Sequence, residues 1–338
     1  MLATENRQLR LAARPAGLPK PSDWKLTTEG VRDPAPGEVV VQVLYLSLDP
    51  AMRGWMNDAR SYIPPVGIGH VMRAAGVGRV VASEDPAFAV DDLVSGGVNA
   101  QAYATVPGGS LTHIDGERFP LPVYLNVLGL PGMTAYFGLL DVGRPQAGET
   151  VVVSGAGGAV GMAVGQIAKV KGCRVVGIAG GPEKCAYAKN ELGFDAAIDY
   201  KSEDVAQSLR RECKDGIDVY FDNVGGSTLD ACLAQLRLRA RVVLCGAISQ
   251  YNSTTGITAP KNYLSLLVNR ALMQGFIVFD FAARYPEAVR ELSGLMESGK
   301  LKSREDVVSG SIDTFPDALL KLFSGENFGK LVLKLAEA

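Results

Sequence analysis

The 338-residue sequence is poor in the two residue types that most often hold zinc, with only five cysteines and two histidines. The cysteines are scattered and form no Cys-x-x-Cys pair, so we expect neither a disulfide framework nor a zinc cluster. No apolar run approaches the ~18 residues that a spanning helix needs. The opening stretch MLATENRQLRLAARPAG also lacks the apolar segment of a secretory signal. We therefore expect reduced thiols, a cytoplasmic protein and no membrane partner.

An excess of charge of either sign is also absent. The formal net charge is -2 and the sequence pI is near 5.9. This balance gives no general reason to bind nucleic acid or an anionic membrane, so any anion must be held by a local site. The chain is 47% hydrophobic, enough for a core of ordinary size, and its length favours two domains.

Two patterns follow one another along the chain. Up to about residue 125, short β-branched runs such as GEVVVQVLYLSLDP (37–50) alternate with turn residues, and no helical period is convincing, which predicts a compact β domain. From residue 130 onward, continuous apolar strands alternate with amphipathic helices, including a helix expected over STLDACLAQLRL (227–238). This alternation predicts a parallel sheet covered on both faces. The stretch FGKLVLKL (328–335) is interpreted as a strand that returns to the first domain.

The stretch SGAGGAVG (154–161) lies between a predicted strand and a predicted helix. Glycines at this point allow a tight turn and a close approach to a pyrophosphate, while helix N-terminal amides face the anion. Glycines also serve ordinary tight loops, but this context favours a cofactor loop. A P-loop is excluded because no Gly-Lys-Ser/Thr follows.

The next strand, in VVGIAGGPEKC (175–185), indicates which cofactor is bound. An acidic residue usually ends this strand and binds the ribose 2′-hydroxyl, but here the strand runs into Ala179, Gly180 and Gly181. Lys184 follows at the start of a helix, where its charge and the helix dipole both favour an anion. Lys184 could also be an ordinary surface lysine. The missing acid favours a 2′-phosphate, and therefore NADP(H) over NAD(H).

The whole chain resembles a zinc-independent medium-chain dehydrogenase/reductase. It is most similar to the branch of prostaglandin reductases, leukotriene B4 12-hydroxydehydrogenases, plant alkenal double-bond reductases and bacterial curcumin reductases. The matching stretches, in family order, are YLSLDPAMRGWM, SYIPPVGIG, LPGMTAYFGLLDVG, GAGGAVG, GGPEKC, FDNVGG, CGAISQYN, QGFIVFD and ENFGK.

The resemblance implies an α/β protein. It would have a GroES-like β-barrel domain for substrate and catalysis (1–127 and 297–338), a Rossmann NADP-binding domain (128–296), and an active site in the cleft between them. It also implies a homodimer. The positions that the resemblance assigns to NADPH are Thr134, Gly157, Gly158, Ala159, Val160, Gly161, Gly180, Lys184, Tyr200, Asn223, Cys245, Gly246, Ile248, Tyr251, Phe276, Val278 and Asn327. Within this set, Lys184 and Tyr200 would hold the 2′-phosphate, and the segment 276–278 is expected to be a strand beside the nicotinamide. Taken singly, Asn223 and Asn327 could be turn residues and Phe276 a core residue.

The resemblance also assigns a substrate pocket. Tyr251 and Tyr62 are expected nearest the substrate carbonyl, where a phenol can donate to the oxygen that becomes an enolate. Ala51 and Ala100 stand where the family usually carries large aromatics, and both are expected to face the pocket unless Trp55 or Tyr103 refills the space. No cysteine stands in LSLDP, where a zinc-dependent relative would have its first ligand, so no metal site is expected.

The expected activity is NADPH-dependent reduction of the C=C bond of an enone or enal. The hydride would go to the β-carbon without a metal. Two alternatives stay open: a quinone reductase of the same superfamily, and a protein that binds NADPH without catalysis.

Overall fold

The structure, a computed structural model, describes residues 5–337. These residues form two compact units, Met1–Leu125 with Glu305–Ala338, and Asn126–Arg304. The expected limits of the substrate domain and the NADP-binding domain, at 127/128 and 296/297, remain a prediction. Within residues 5–337, no helix has both the length and the apolar character that crossing a membrane requires.

The elements follow one another along the chain in three groups. The first group is β1 (Glu5–Leu11), β2 (Trp24–Gly30), β3 (Glu38–Ser47), α1 (Ala51–Trp55), β4 (Ala75–Ser83), β5 (Leu93–Gly97), β6 (Tyr103–Pro107) and β7 (Leu111–His113). The second group is α2 (Leu130–Phe137), β8 (Thr150–Ser154), α3 (Ala159–Val170), β9 (Arg174–Ala179), α4 (Pro182–Asn190), β10 (Ala196–Asp199), α5 (Val205–Glu212), β11 (Ile217–Asp222), α6 (Gly226–Leu233), β12 (Leu236–Leu244), α7 (Leu264–Asn269), β13 (Leu272–Gly275) and α8 (Tyr285–Glu297). The third group is β14 (Glu305–Ser309), α9 (Phe315–Ser324) and β15 (Lys330–Lys334).

The first unit is organised around strand β3. Strand β4 pairs with β3 along nearly its whole length. On the opposite side, β6 pairs with residues 38–42 of β3 and β15 pairs with residues 45–47. The strand expected in FGKLVLKL is therefore β15, and it joins the sheet of the first unit between β14 and β3. Buried Met52 on α1 and Phe315 on α9 join the strand side chains in one core, so two helices that the sequence pattern did not reveal complete this β unit.

The second unit is built on a parallel sheet with the strand order β10-β9-β8-β11-β12-β13. Counted along the chain this order is 3-2-1-4-5-6, the order of the Rossmann fold. The central strand residues Val151, Val152 and Val153 are fully buried, as expected of a sheet covered on both faces. From β8 to β10 successive strands are added on one side of β8, and from β11 to β13 they are added on the other side, so the strand order reverses between β8 and β11. Sheets of this kind bind their ligands at the carboxyl ends of the strands at this reversal.

Two local predictions were wrong. The helix expected over 227–238 ends at Leu233, and Leu236 already pairs with Ile217 in the sheet. Because Leu and Arg alternate over residues 236–239, this segment fits a strand and cannot continue the helical period. The segment 276–278 is not a strand: β13 ends at Gly275, and a 3-10 helix begins at Val278.

Candidate functional site

The carboxyl ends of β8 and β11 are joined by side-chain hydrogen bonds at the reversal of the strand order. Ser154 Oγ, at the end of β8, donates to Asp222 Oδ1, at the end of β11, over 3.0 Å. The same Oγ accepts the backbone N–H of Asn223 at 2.9 Å, and Asn223 Nδ2 donates to the Ser154 carbonyl at 2.7 Å. The predicted cofactor residue Asn223 is thus fixed at the crevice where a Rossmann sheet binds its ligand.

The glycine-rich turn fits a pyrophosphate. Gly158 is the N-cap of α3 and has no side chain with which to cap this end, so the first-turn amides of Ala159, Val160 and Gly161 are left to face the expected pyrophosphate. A Cβ at Gly161 would lie 2.2 Å from the Gly155 carbonyl oxygen. Only glycine therefore allows the turn and the helix to pack this closely.

The residues predicted for the 2′-phosphate lie against the glycines predicted with them. Half-buried Lys184 lays its aliphatic chain over Gly157, where an added Cβ would be 2.8 Å from Lys184 Cδ. The ring of Tyr200 covers Gly180, where an added Cβ would lie 2.8 Å from both the Cζ atom and the hydroxyl of Tyr200. The Tyr200 side chain is still half exposed. A lysine and a phenol at the carboxyl ends of β9 and β10 suit a phosphate ester.

A carboxylate does lie at this end of the sheet, on the neighbouring strand, and the sequence analysis missed it. Asp199 ends β10, and its Oδ1 accepts the N–H groups of Gly181 at 2.7 Å and Lys201 at 3.0 Å. Its Oδ2 accepts from Ser202 Oγ at 2.9 Å. The bond from Gly181, more than any other cause, lowers the pKa of Asp199 below its ordinary value. Asp199 therefore holds the turn through Gly181 in place. Asp199 could have been identified from the expectation that β9 and β10 are parallel neighbours, because their carboxyl ends then lie side by side, with Ala179 opposite Asp199.

The turn after β12 meets the turn after β11. Cys245 and Gly246 donate their N–H groups to the Asp222 carbonyl at 2.9 and 3.0 Å, and Ile248 N–H donates to the Asn223 carbonyl at 3.2 Å. The structure therefore brings together four of the residues that were predicted to bind the cofactor, Asn223, Cys245, Gly246 and Ile248. Burial raises the pKa of the Cys245 thiol to about 12, so this cysteine is a neutral thiol at physiological pH.

Tyr251 lies directly beside this turn. Its hydroxyl oxygen accepts the N–H of Ala247 at 3.1 Å, and a Cβ at Gly246 would lie 2.9 Å from that oxygen. A hydroxyl that accepts a hydrogen bond becomes a stronger donor through its own proton, because hydrogen bonds in a chain polarise one another. The backbone therefore fixes the phenol and prepares it to donate.

Phe276 and Val278 follow the last strand of the sheet. The Phe276 ring packs edge-to-face on Phe221, with ring centroids 6.3 Å apart, and it also fills the space beside Gly138. The Val278 carbonyl accepts the hydroxyl of Tyr285 at 3.1 Å. The half-buried Phe276 ring thus holds the segment by packing, and a cofactor role for residues 276–278 stays a prediction.

Two further predicted cofactor residues bond within their own segments. Thr134 Oγ1 donates to the Leu130 carbonyl at 2.7 Å, one helical turn earlier in α2. Asn327 Nδ2 donates to the Gly329 carbonyl at 3.0 Å, two residues later. Both side chains are half-buried and both bonds are local, so a cofactor role for them stays a prediction.

Two predicted substrate residues of the first unit, Tyr62 and Ala51, lie near Trp55. Its Nε1 donates to the Tyr62 hydroxyl at 3.0 Å, and the Arg73 guanidinium lies 5.6 Å from the centre of its ring. Half-buried Ala51 is four residues before Trp55 on α1, so the two side chains share one face of the helix. Trp55, which was expected as one residue that could refill the space beside Ala51, thus lies one helical turn from it.

Ala100 is a core residue, which corrects the expectation that it faces a pocket. It has no exposed surface and belongs to the apolar core of the first unit. Its N–H donates to the Met72 carbonyl and its carbonyl accepts from Leu9 N–H. Asn99, just before it, adopts a φ of 59°, a left-handed conformation that asparagine tolerates better than most residues. This turn directs the Ala100 methyl group inward.

The segment LSLDP, where a zinc ligand was considered, forms a different pair. Lys330, with 2% of its surface exposed, donates from Nζ to Asp49 Oδ1 at 2.6 Å and to the Leu48 carbonyl at 2.8 Å. Ser47 Oγ donates to Asp49 Oδ2 at 2.5 Å. Both Asp49 oxygens thus have donors. Among residues 5–337, no three His, Cys, Asp or Glu side chains are grouped so that they could hold a metal ion.

Comparison with known proteins agrees with this organisation. Residues 7–114 match the family described as "N-terminal domain of oxidoreductase", and residues 159–294 match the family described as "Zinc-binding dehydrogenase". A structure of CurA from Vibrio vulnificus in complex with NADPH superposes with a TM-score of 0.93 at 45% identity. It covers 98% of this chain and 100% of the other. The expected fold class, a GroES-like β domain with a Rossmann domain, is confirmed.

Three relatives are similar over nearly their whole length. A putative NADP-dependent oxidoreductase of Bacillus subtilis (strain 168) is 45% identical and covers 99% of both chains. The NADPH-dependent curcumin reductase of Escherichia coli (strain K12) is 43% identical over 98% of this chain and 97% of its own. The NADP(+)-dependent 2-alkenal reductase of Nicotiana tabacum is 42% identical over 98% of both. The chain belongs to the medium-chain dehydrogenase/reductase family, in the branch that contains the curcumin, 2-alkenal and prostaglandin reductases.

Proposed function

We propose that this protein uses NADPH to reduce the C=C bond of α,β-unsaturated ketones and aldehydes. The observation that carries the proposal is the 42–43% identity, over 98% of the chain, to a curcumin reductase and a 2-alkenal reductase that both use NADP(H). Curcumin and 2-alkenals share one reactive group, a double bond conjugated to a carbonyl.

The carboxyl edge of the parallel sheet supports the choice of cofactor. The uncapped first turn of α3 would bind the pyrophosphate, and Lys184 with Tyr200 would bind the 2′-phosphate. The turns that hold Asn223, Cys245 and Gly246 would orient the nicotinamide half. Bound in this way, NADPH supplies the hydride for the β-carbon of the substrate.

Tyr251 would stabilise the charge that develops on the substrate oxygen. When a hydride reaches the β-carbon, the carbonyl oxygen takes on enolate character, and a fixed phenol donor is most useful at that stage. The bond from Ala247 N–H fixes the Tyr251 hydroxyl and strengthens it as a donor. We keep Tyr62 as a second candidate donor and Ala51 as a residue that shapes the substrate pocket. Ala100 is no longer proposed as a pocket residue, because it is fully buried.

We propose that catalysis needs no zinc. The one potential ligand in LSLDP is Asp49, whose oxygens are bonded to Lys330 and Ser47. The phenol and the cofactor, and not a Lewis acid, would then polarise the substrate.

We further propose a homodimer in the cytoplasm. Strand β13 is at the edge of the parallel sheet, and α7, which precedes it in the chain and packs against β12, exposes apolar side chains. The exposed apolar side chains of this region are Tyr263 at the N-cap of α7, Leu264, Leu267 and Val268 on α7, and Leu272 on β13. An edge strand flanked by apolar side chains is a surface that proteins usually cover. All five cysteines are free thiols, which agrees with a reducing compartment.

The experiment is NADPH oxidation against a short 2-alkenal, an aryl enone, a curcuminoid and a quinone, with the products analysed by NMR. We expect saturated ketones or aldehydes with the carbonyl intact. Turnover of the quinone alone would favour a quinone reductase. Tight NADPH binding without turnover of any compound would favour a non-catalytic binding protein.

A further inference from the structure

Asp222 is a buried carboxylate at the reversal of the strand order. The residue is 1% exposed, and four donors converge on its Oδ1. They are Tyr220 OH at 2.6 Å, Gly225 N at 2.9 Å, and Ser154 Oγ and Val224 N at 3.0 Å. Four donors on one oxygen suit an ionised carboxylate better than its amide, because hydrogen bonds to a charged acceptor are stronger than those to a neutral one. Burial raises the pKa of Tyr220 well above its usual value, so this phenol remains a donor.

The second oxygen of Asp222 has no such environment. Oδ2 is buried and has no hydrogen-bond partner within residues 5–337, and no lysine, arginine or histidine of that range forms an ion pair with this residue. The half-buried carboxylate Asp49, in contrast, forms an ion pair with Lys330. The negative charge of Asp222 is therefore held by neutral donors and is not cancelled by a cation. A charge in such surroundings acts on neighbouring groups more strongly than a charge in water.

The groups next to Asp222 are those assigned to the nicotinamide half. Its carbonyl accepts the N–H groups of Cys245 and Gly246, and Asn223 follows it in the chain. The nicotinamide ring is neutral in NADPH and positively charged in NADP+. A fixed negative charge near the ring stabilises the oxidised form more than the reduced form.

We propose that Asp222 is a positioning residue whose uncancelled charge makes the site bind NADP+ more tightly, relative to NADPH, than a neutral side chain would. This inference rests on the proposed binding of NADP(H) at this sheet edge. By lowering the free energy of the oxidised cofactor, the carboxylate favours departure of the hydride toward the substrate. Asp222 acts through the electric field and through the turns that it holds, without itself contacting the reacting atoms.

The test is the ratio of the two dissociation constants, Kd(NADP+)/Kd(NADPH), measured by titration of the purified protein without substrate. Asp222→Asn removes the charge and also weakens the turns at Val224 and Gly225. Weaker turns would raise the dissociation constants of NADP+ and NADPH by the same factor and leave their ratio unchanged. Loss of the charge would raise the ratio. We expect the ratio to rise at least fivefold. A ratio within twofold of the wild type would overturn the proposal.

Tyr220→Phe is the matched variant, because it removes one donor from Oδ1, keeps the charge and preserves the shape of the ring. With one donor fewer, more of the charge is unshielded, so the ratio should fall at least twofold. This variant carries the test alone if Asp222→Asn does not fold, and an unchanged or raised ratio would contradict the proposal. If the wild-type protein binds neither cofactor, the proposed function fails; if it binds both and the ratio does not respond, only the role of Asp222 fails.

Discussion

Replacing Lys184 tests the assignment of the 2′-phosphate. Lys184→Ala removes the ammonium group and also the aliphatic chain that covers Gly157. A hydrogen bond between a charged donor and a phosphate is worth roughly 1.5–3 kcal/mol, so the Michaelis constant for NADPH should rise about 10- to 150-fold. NADH has no 2′-phosphate, and its Michaelis constant should change only through the lost packing.

A second variant separates charge from packing. Lys184→Met keeps a side chain of similar length over Gly157 and removes only the charge. It should therefore reproduce most of the change in the NADPH/NADH ratio while leaving the Michaelis constant for NADH unchanged. Lys189→Ala is the control, because Lys189 is exposed near the other end of α4.

Initial rates with both cofactors at a fixed ionic strength of about 0.1 M give the required constants, since added salt would screen an exposed contact. If Lys184→Ala raises the constants for NADPH and NADH by the same factor, Lys184 is only a packing residue. If Lys189→Ala has the same effect on the ratio as Lys184→Ala, the charge acts at long range and binds no phosphate directly.

The remaining predictions concern the substrate, the metal and the assembly. Tyr251→Phe should lower kcat at least tenfold with little change in NADPH affinity, because removing one donor to a developing oxyanion costs about 10²–10³ in rate; an unchanged kcat would exclude Tyr251 as the donor. Ala51→Tyr should lower kcat/KM for an aryl enone at least tenfold relative to a short alkenal, about 1.4 kcal/mol, and an unmoved ratio would show that Ala51 does not shape the pocket. Exhaustive treatment with a zinc chelator should leave turnover intact, whereas a loss that added zinc restores would refute the metal-free mechanism. Leu267→Glu, on the exposed face of α7, should halve the mass measured by light scattering, while Leu18→Glu in the other unit should leave that mass unchanged.

Periodic patterns made the parallel sheet predictable. Apolar runs such as Val151–Val153 alternate with amphipathic helices, and the glycines at 157, 158 and 161 are placed where only a tight turn into a helix needs them. Interactions between distant segments could not be predicted in the same way. Asp199 acts on Gly181 because neighbouring parallel strands end side by side. The inward direction of Ala100 depends on the left-handed turn at Asn99, which a comparison of residue types does not reveal.

The pairing of β3 with both β6 and β15 has a consequence for the order of folding. Residues 126–304 leave the ribosome as one continuous segment, and all six strands of their sheet come from within it. The sheet of the first unit, in contrast, needs β15, which is synthesised about 280 residues after β3. Closing so long a loop before the pairing is gained makes such contacts slow to form. The Rossmann unit can therefore fold during synthesis, whereas one side of β3 stays unpaired at Tyr45–Ser47 until β15 emerges.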